Sequence, residues 1–107
     1  MNFRVHMTPN ARIEMYSAAQ WWAENRDRDQ ADRWLAGIEN VIADLANDPE
    51  RHALANEDDD FPFTLRQMLY GLSRRKTHRA VFEVRGEEVI VHAIRHLSQR
   101  DLTPDDL

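Results

Sequence analysis

No cysteine occurs in the 107 residues, so neither a disulfide framework nor a thiolate metal site is available. Nothing in that composition calls for an oxidising compartment, and the cytoplasm is the expected location. No apolar run approaches the roughly 20 residues that a membrane span requires, and the opening MNFRVHMTPN has no apolar signal core. A soluble protein without membrane contact is expected. Five histidines are present without any paired-cysteine spacing, which argues against a metal centre, and no cofactor is expected. Repeats, linkers and low-complexity tracts are absent as well, so residues 1–107 read as one domain of ordinary length.

What the chain does have is an uneven distribution of charge. The net charge is −5. Residues 1–60 hold six arginines against thirteen acidic residues, whereas residues 61–100 hold eight basic residues against three glutamates. LRQMLYGLSRRKTHRAVFEVRG, Leu65 to Gly86, alone carries six of the fourteen basic residues. A basic segment in an acidic chain suggests a basic face for phosphate or for a carboxylate-rich peptide; the plainer alternative is a set of solvated strand residues paired with acidic neighbours. The run EDDD, Glu57 to Asp60, is open to two readings: a solvated loop, or a shield folded over the basic face.

FRVHMT, Phe3 to Thr8, alternates apolar and polar residues and predicts a first strand. Thr8-Pro9 reads as an N-cap followed by proline at the first helical position, and Ala11, Met15, Ala18, Ala19 and Trp22 extend a helix to about Asn25. Asp29 is placed to cap a second helix whose stripe is Ala31, Trp34, Leu35, Ile38, Val41, Ile42 and Leu45, ending near Asn47 because Pro49 biases Asp48 away from helical dihedrals. Trp21, Trp22 and Trp34 are assigned to the core and edge of this hairpin. After an irregular loop from Asp48 to Phe63, LRQMLYGL, THRAVFEV and EEVIVHAIRH predict three strands, with a tight turn at Val84-Arg85-Gly86-Glu87. The layout is α+β: a first strand, then a two-helix hairpin packed on one face of a mostly antiparallel sheet completed by three C-terminal strands.

Alternation sends Ala80, Phe82 and Val84 toward the helices and Thr77, Arg79, Val81 and Glu83 to the other face. The last strand is apolar on both sides, which suggests a cover on each, the second supplied by a partner. The helix-free face is expected to display Arg79 and Arg66, with Arg74, Arg75 and Lys76 at the hairpin end and Arg95, His96 and Arg100 near the exit. Tyr70 or Phe61 would add a stacking surface. Such a face suits either a phosphodiester, with arginine countering charge and histidine moving protons, or a peptide. His6 and His52 are assigned no function, and His78 and His92 read as strand residues with satisfied hydrogen bonds.

The layout, with FRVHMTPNAR, WWAENRDRDQADRWLAGIENVIADLANDPE, LRQMLYG and HRAVFEVRGEEVIVHAIRHLSQRDL, resembles the RelE/ParE superfamily of toxins from bacterial type II toxin–antitoxin systems over nearly the whole chain. The resemblance implies a cytoplasmic toxin neutralised by a cognate antitoxin whose acidic or amphipathic C-terminal segment covers its functional surface. RelE-like members cleave messenger RNA on the ribosome without a metal; ParE-like members poison DNA gyrase. A RelE-like activity would rest on Arg79, Arg100, His96 and, in place of a lysine, Arg66. Against it, His78 replaces an aromatic residue and the ending DLTPDDL is acidic and lacks Tyr or His. The ending of the last strand, IRHLSQRDL with His96, resembles ParE-like toxins, and that reading is preferred. Under it Arg74, Arg75, Lys76, Arg79, Arg95 and Tyr70 contact the antitoxin or the target. A third possibility is a module that keeps only its partner binding.

Overall fold

A computed structural model describes residues 2–107. Strand β1 (Arg4–Met7) leads directly into helix α1 (Pro9–Asn25), where Thr8 is the N-cap and its hydroxyl accepts the Ala11 N–H. Helix α2 (Arg28–Ala43) begins two residues earlier than expected. Asp27, not Asp29, is its cap, accepting the Gln30 N–H at 2.7 Å, and Asp29 lies in the first turn, where its charge favours the helix N-terminus. The α2 stripe buries Ala31, Trp34, Ile38 and Ile42, and Leu45 follows in a 3₁₀ turn. Asp48 takes a left-handed conformation, φ 48°, before Pro49.

The sheet is completed by β2 (Arg66–Tyr70), β3 (His78–Arg85) and β4 (Glu88–His96), in the spatial order β1-β4-β3-β2. β1 runs parallel to β4, and the other pairs are antiparallel. The β3–β4 turn is two residues, Gly86-Glu87, one position later than the sequence suggested, with Gly86 at φ 61°. The helical hairpin packs on one face of this sheet around Met15, Trp34, Ile38, Phe82 and Val91.

The two-sided apolarity of β4 has an intramolecular cause. The register passes from Val81↔Ala93 to Phe82↔Val91, leaving His92 as an extra residue in a bulge. Val89 and Val91 therefore face the helices, and beyond the bulge Ala93 faces away while Ile94 returns to the helical core. The second cover is not a partner but the chain itself. Residues 53–63 and the C-terminal tail cross the opposite face as a strap, and Ala55, Leu65, Val81, Ala93 and Leu102 form a small second core with Phe61 and Phe63 against it. The strap is stitched to β2 by the Ala55 N–H to Leu65 O and the Gln67 N–H to Ala53 O.

Candidate functional site

The basic residues expected on one open face are divided among four places. Arg66 stands opposite Phe82 in register, which puts it on the helical side, and it donates to the His52 carbonyl at 2.7 Å. Its expected display beside Arg79 fails because β2 pairs odd residues with the strap side: Gln67 with Val81, Leu69 with Arg79. Tyr70 likewise turns inward and offers no stacking surface. Its hydroxyl donates to the Trp34 carbonyl at 2.9 Å and its ring meets the Trp34 ring edge-on at 5.9 Å. Phe61, within the strap, is packed on Phe63 against the second core.

Arg79 does lie on the strap side, but only 2% of it is exposed. Its Nη1 and Nη2 donate to the two oxygens of Glu57, each at 2.6 Å, and Nη1 also donates to Gln67 at 3.1 Å. Burial pushes the Glu57 carboxyl up; the bonds from Arg79 and from the Leu102 N–H at 2.8 Å outweigh it and hold the carboxyl below its ordinary value. Of the two readings of the acidic run, Glu57 follows the shield, Asp58 accepts the Leu65 N–H, and Asp59 and Asp60 are exposed. Arg100 is clasped by Asp106 through two hydrogen bonds of 2.8 and 3.0 Å. Arg95 is buried beside Arg79.

His96 is on the other face. It stands across from His78, their rings 5.1 Å apart, and its Nδ1 accepts the Ser98 N–H. The bulge separates it from His92, which pairs with Glu83 on the strap side at 2.7 Å. His78 is wedged against Trp34 at 5.0 Å; burial, with the neighbouring His96 charge, pulls its pKa down to about 4. Arg79, Arg66, Arg100 and His96 thus do not converge on a common point.

What opens to solvent is a groove of about 1000 Å³ between α1 and the ends of β3 and β4, which the sequence reading missed. Its walls include Trp21, Trp22 and Ala18 on one side and Ile94, His96 and Leu97 on the other. Trp21 is 51% exposed and Leu97 42%, so the groove presents apolar surface to water. Its rim carries Arg26, Arg75 and Lys76, and among the described residues these three have no carboxylate within ion-pair distance. One acidic side chain, Glu14, lines it, and that carboxylate already accepts the Ile94 N–H. The signal was the pair Trp21-Trp22: adjacent helical residues point about 100° apart, so one of two neighbouring tryptophans is driven out of the core.

Gly71 sets the rim. A Cβ there would lie 2.4 Å from the Arg75 carbonyl oxygen, so the loop Leu72–Lys76 can fold back on the end of β2 only over a glycine. The return is completed by the Thr77 N–H to Tyr70 O bond.

The family model for the ParE toxin of the type II toxin–antitoxin system parDE matches residues 5–101, from within β1 to just beyond Arg100. The chain belongs to this ParE toxin family. A solved chain of the chromosomal ParDE TA system from P. aeruginosa superposes with a TM-score of 0.71 at 16% identity, covering 90% of this chain and 97% of that one. The likeness extends to the shared fold: two helices on a four-stranded mixed sheet, with a strand before the helices. No curated protein matches the chain. Among the described residues of this ParE family member, no helix is long and apolar enough to cross a membrane.

Proposed function

We propose that this ParE family member is the toxin of a type II toxin–antitoxin pair, that it acts in the cytoplasm by binding and poisoning DNA gyrase, and that a cognate antitoxin neutralises it. The observation that carries this reading is the engagement of the arginines that nuclease chemistry would use. Transesterification at a phosphodiester needs a cationic clamp and proton-transfer groups around one phosphate. Here Arg79 is held by Glu57, Arg100 by Asp106 and Arg66 by a carbonyl, and His96 faces the other way. Three cations without carboxylate partners, Arg26, Arg75 and Lys76, line the α1–β4 groove, where they suit a protein ligand. An acidic, amphipathic segment of the antitoxin fits that groove: apolar side chains against Trp21 and Leu97, carboxylates toward Arg26, Arg75 and Lys76.

Toxin freshly released from its antitoxin, in a preparation shown to stop cell growth, tests this. Stabilised gyrase cleavage complexes and intact messages in a ribosome-containing translation reaction are expected. Codon-phased cuts in the message, absent without ribosomes, would overturn the gyrase reading in favour of a ribosome-dependent nuclease. A folded preparation that binds its antitoxin and leaves growth untouched would reduce the function to partner binding.

A further inference from the structure

His96 closes β4 and lines the α1–β4 groove together with His78, the two rings 5.1 Å apart. The turn that follows is built on its side chain and backbone. The His96 N–H donates to Gln99 Oε1 at 2.7 Å, and the Gln99 N–H donates back to the His96 carbonyl at 3.0 Å. The Ser98 N–H donates to His96 Nδ1 at 3.0 Å, and Ser98 Oγ meets the same nitrogen at 2.7 Å. A main-chain N–H can only donate, so Nδ1 is bare and the neutral ring carries its proton on Nε2. Leu97, Ser98 and Gln99, which this turn holds in place, form part of the groove wall.

A proton added to the ring goes to Nδ1. The Ser98 hydroxyl can reverse and accept from it, but the Ser98 main-chain N–H cannot and has to leave. One proton therefore sets two states of the groove wall. In the free chain the surroundings oppose the charged state. Arg75 and Lys76, from the loop before β3, and Arg26, at the end of α1, line the same groove. His78 on β3 is kept neutral by burial, its pKa pulled down to about 4. Glu14 on α1 has its carboxyl pushed up by burial; it accepts the Ile94 N–H and stands 4.0 Å from Arg95. In the tail, Arg100 and Asp106 are taken up with each other. A carboxylate that arrives with a ligand reverses this balance, because an opposite charge nearby favours the imidazolium. We propose that the groove is proton-linked: seating an acidic segment places a proton on His96 and frees the Leu97–Gln99 turn from Nδ1, so the partner is held more tightly as pH falls. The inference rests on the reading of this groove as the antitoxin's seat. The complex holds more protons than its separated parts, so affinity rises with falling pH by up to about tenfold per pH unit.

Calorimetric titration of the full chain with the antitoxin's C-terminal segment, at about pH 7 in two buffers of different ionisation enthalpy, counts the protons exchanged. The wild-type chain should take up a measurable fraction of a proton, and its affinity should gain about fivefold or more between about pH 8 and pH 6, where the segment's carboxylates stay charged. His96→Asn places a side-chain carbonyl near the position of Nδ1, which keeps an acceptor for Ser98 but cannot titrate. It should bind with no uptake and a flat profile. Binding without uptake in the wild type overturns the proposal and leaves the groove reading standing. Uptake that persists in His96→Asn moves the proton to another group, Glu14 first, and also overturns it. A segment that binds neither chain removes the groove reading and the proposal with it. Should His96→Asn fail to fold, the wild-type chain decides by NMR: the Ser98 amide should shift and lose protection at the same midpoint as the His96 ring nitrogens. A Ser98 amide indifferent to that titration refutes the coupling.

Discussion

Arg79 and Glu57, 22 residues apart in the chain, are joined by two hydrogen bonds of 2.6 Å with 3% and 0% of their side chains exposed. The pair ties the strap to the sheet. It also changes how a substitution at Arg79 must be read. Removing one partner of a buried pair strands the other charge without water, at a cost of roughly 3–5 kcal/mol, whereas removing both with apolar residues of similar size is often close to neutral. Arg79→Met should therefore destabilise the chain by about that amount in urea melts, and Arg79→Met/Glu57→Met should recover most of it. Equal losses in the single and double variants would show that the pair does not hold the strap. An Arg79 variant that loses toxicity reports on function only if its fold is shown intact.

Gly37 sits in the middle of α2, where glycine costs about 1 kcal/mol relative to alanine. It is there because the Tyr70 hydroxyl, bonded to Trp34 O, occupies the space of a side chain: a Cβ would lie 2.0 Å from it. Gly37→Ala should cost about 1–3 kcal/mol despite its better helix propensity. In a Tyr70→Phe background, which removes the clashing oxygen, the same change should cost clearly less, and a double-mutant cycle in denaturant measures that coupling. Additive effects would contradict the contact.

Much of the architecture was legible because single residues carried strong local signals. Thr8-Pro9 capped α1 as read, and the α2 stripe from Ala31 to Leu45 is the stripe that is buried. The phase of β4 was not legible. Val89, Val91, Ala93 and Ile94 fit either face, so nothing local revealed that His92 bulges and switches the alternation. The site failed to read for a different reason. An acidic run such as Glu57 to Asp60 ordinarily stays in water, and the one carboxylate that turns inward is chosen by the tertiary position of Arg79, not by its neighbours in sequence. Arg66 was misplaced together with Tyr70 because the phase of β2 was inverted: Met68 and Tyr70, which share its parity, lie in the helical core.

His78 gives the chain a dependence on mild acid. Burial, aided by His96, lowers its pKa from 6.5 to about 4, so the folded state keeps it neutral where the unfolded chain takes up a proton. Stability from this group is complete above the unfolded pKa, falls as pH drops below about 6.5, and levels off near 4, where the folded state also protonates. The loss across that window should be on the order of 2–3 kcal/mol. Urea melts at successive pH values should show it in the wild-type chain and a flatter profile in His78→Gln. The lowered Glu57 carboxyl adds its own loss only below its unfolded value of 4.5, so the two are separable on the pH axis. Identical profiles for both chains above that value would remove His78 as the cause.

The rim of the α1–β4 groove makes the last prediction, which bears on partner binding rather than on stability. Arg74, Arg75 and Lys76 are exposed and lack carboxylate partners among the described residues, so replacing all three with alanine should change stability by less than about 0.5 kcal/mol. If they steer an acidic antitoxin segment, the triple variant should associate more slowly at low salt and lose much of the wild type's salt dependence. Trp21→Ala should act differently. It removes apolar surface from the groove wall and leaves the rim charges in place, so it should speed dissociation by about tenfold or more with the salt dependence unchanged. Surface plasmon resonance of the antitoxin's C-terminal segment over the three chains separates these effects. Wild-type kinetics in both variants would take the antitoxin out of this groove while leaving the gyrase reading untouched, because gyrase poisoning is measured without the antitoxin.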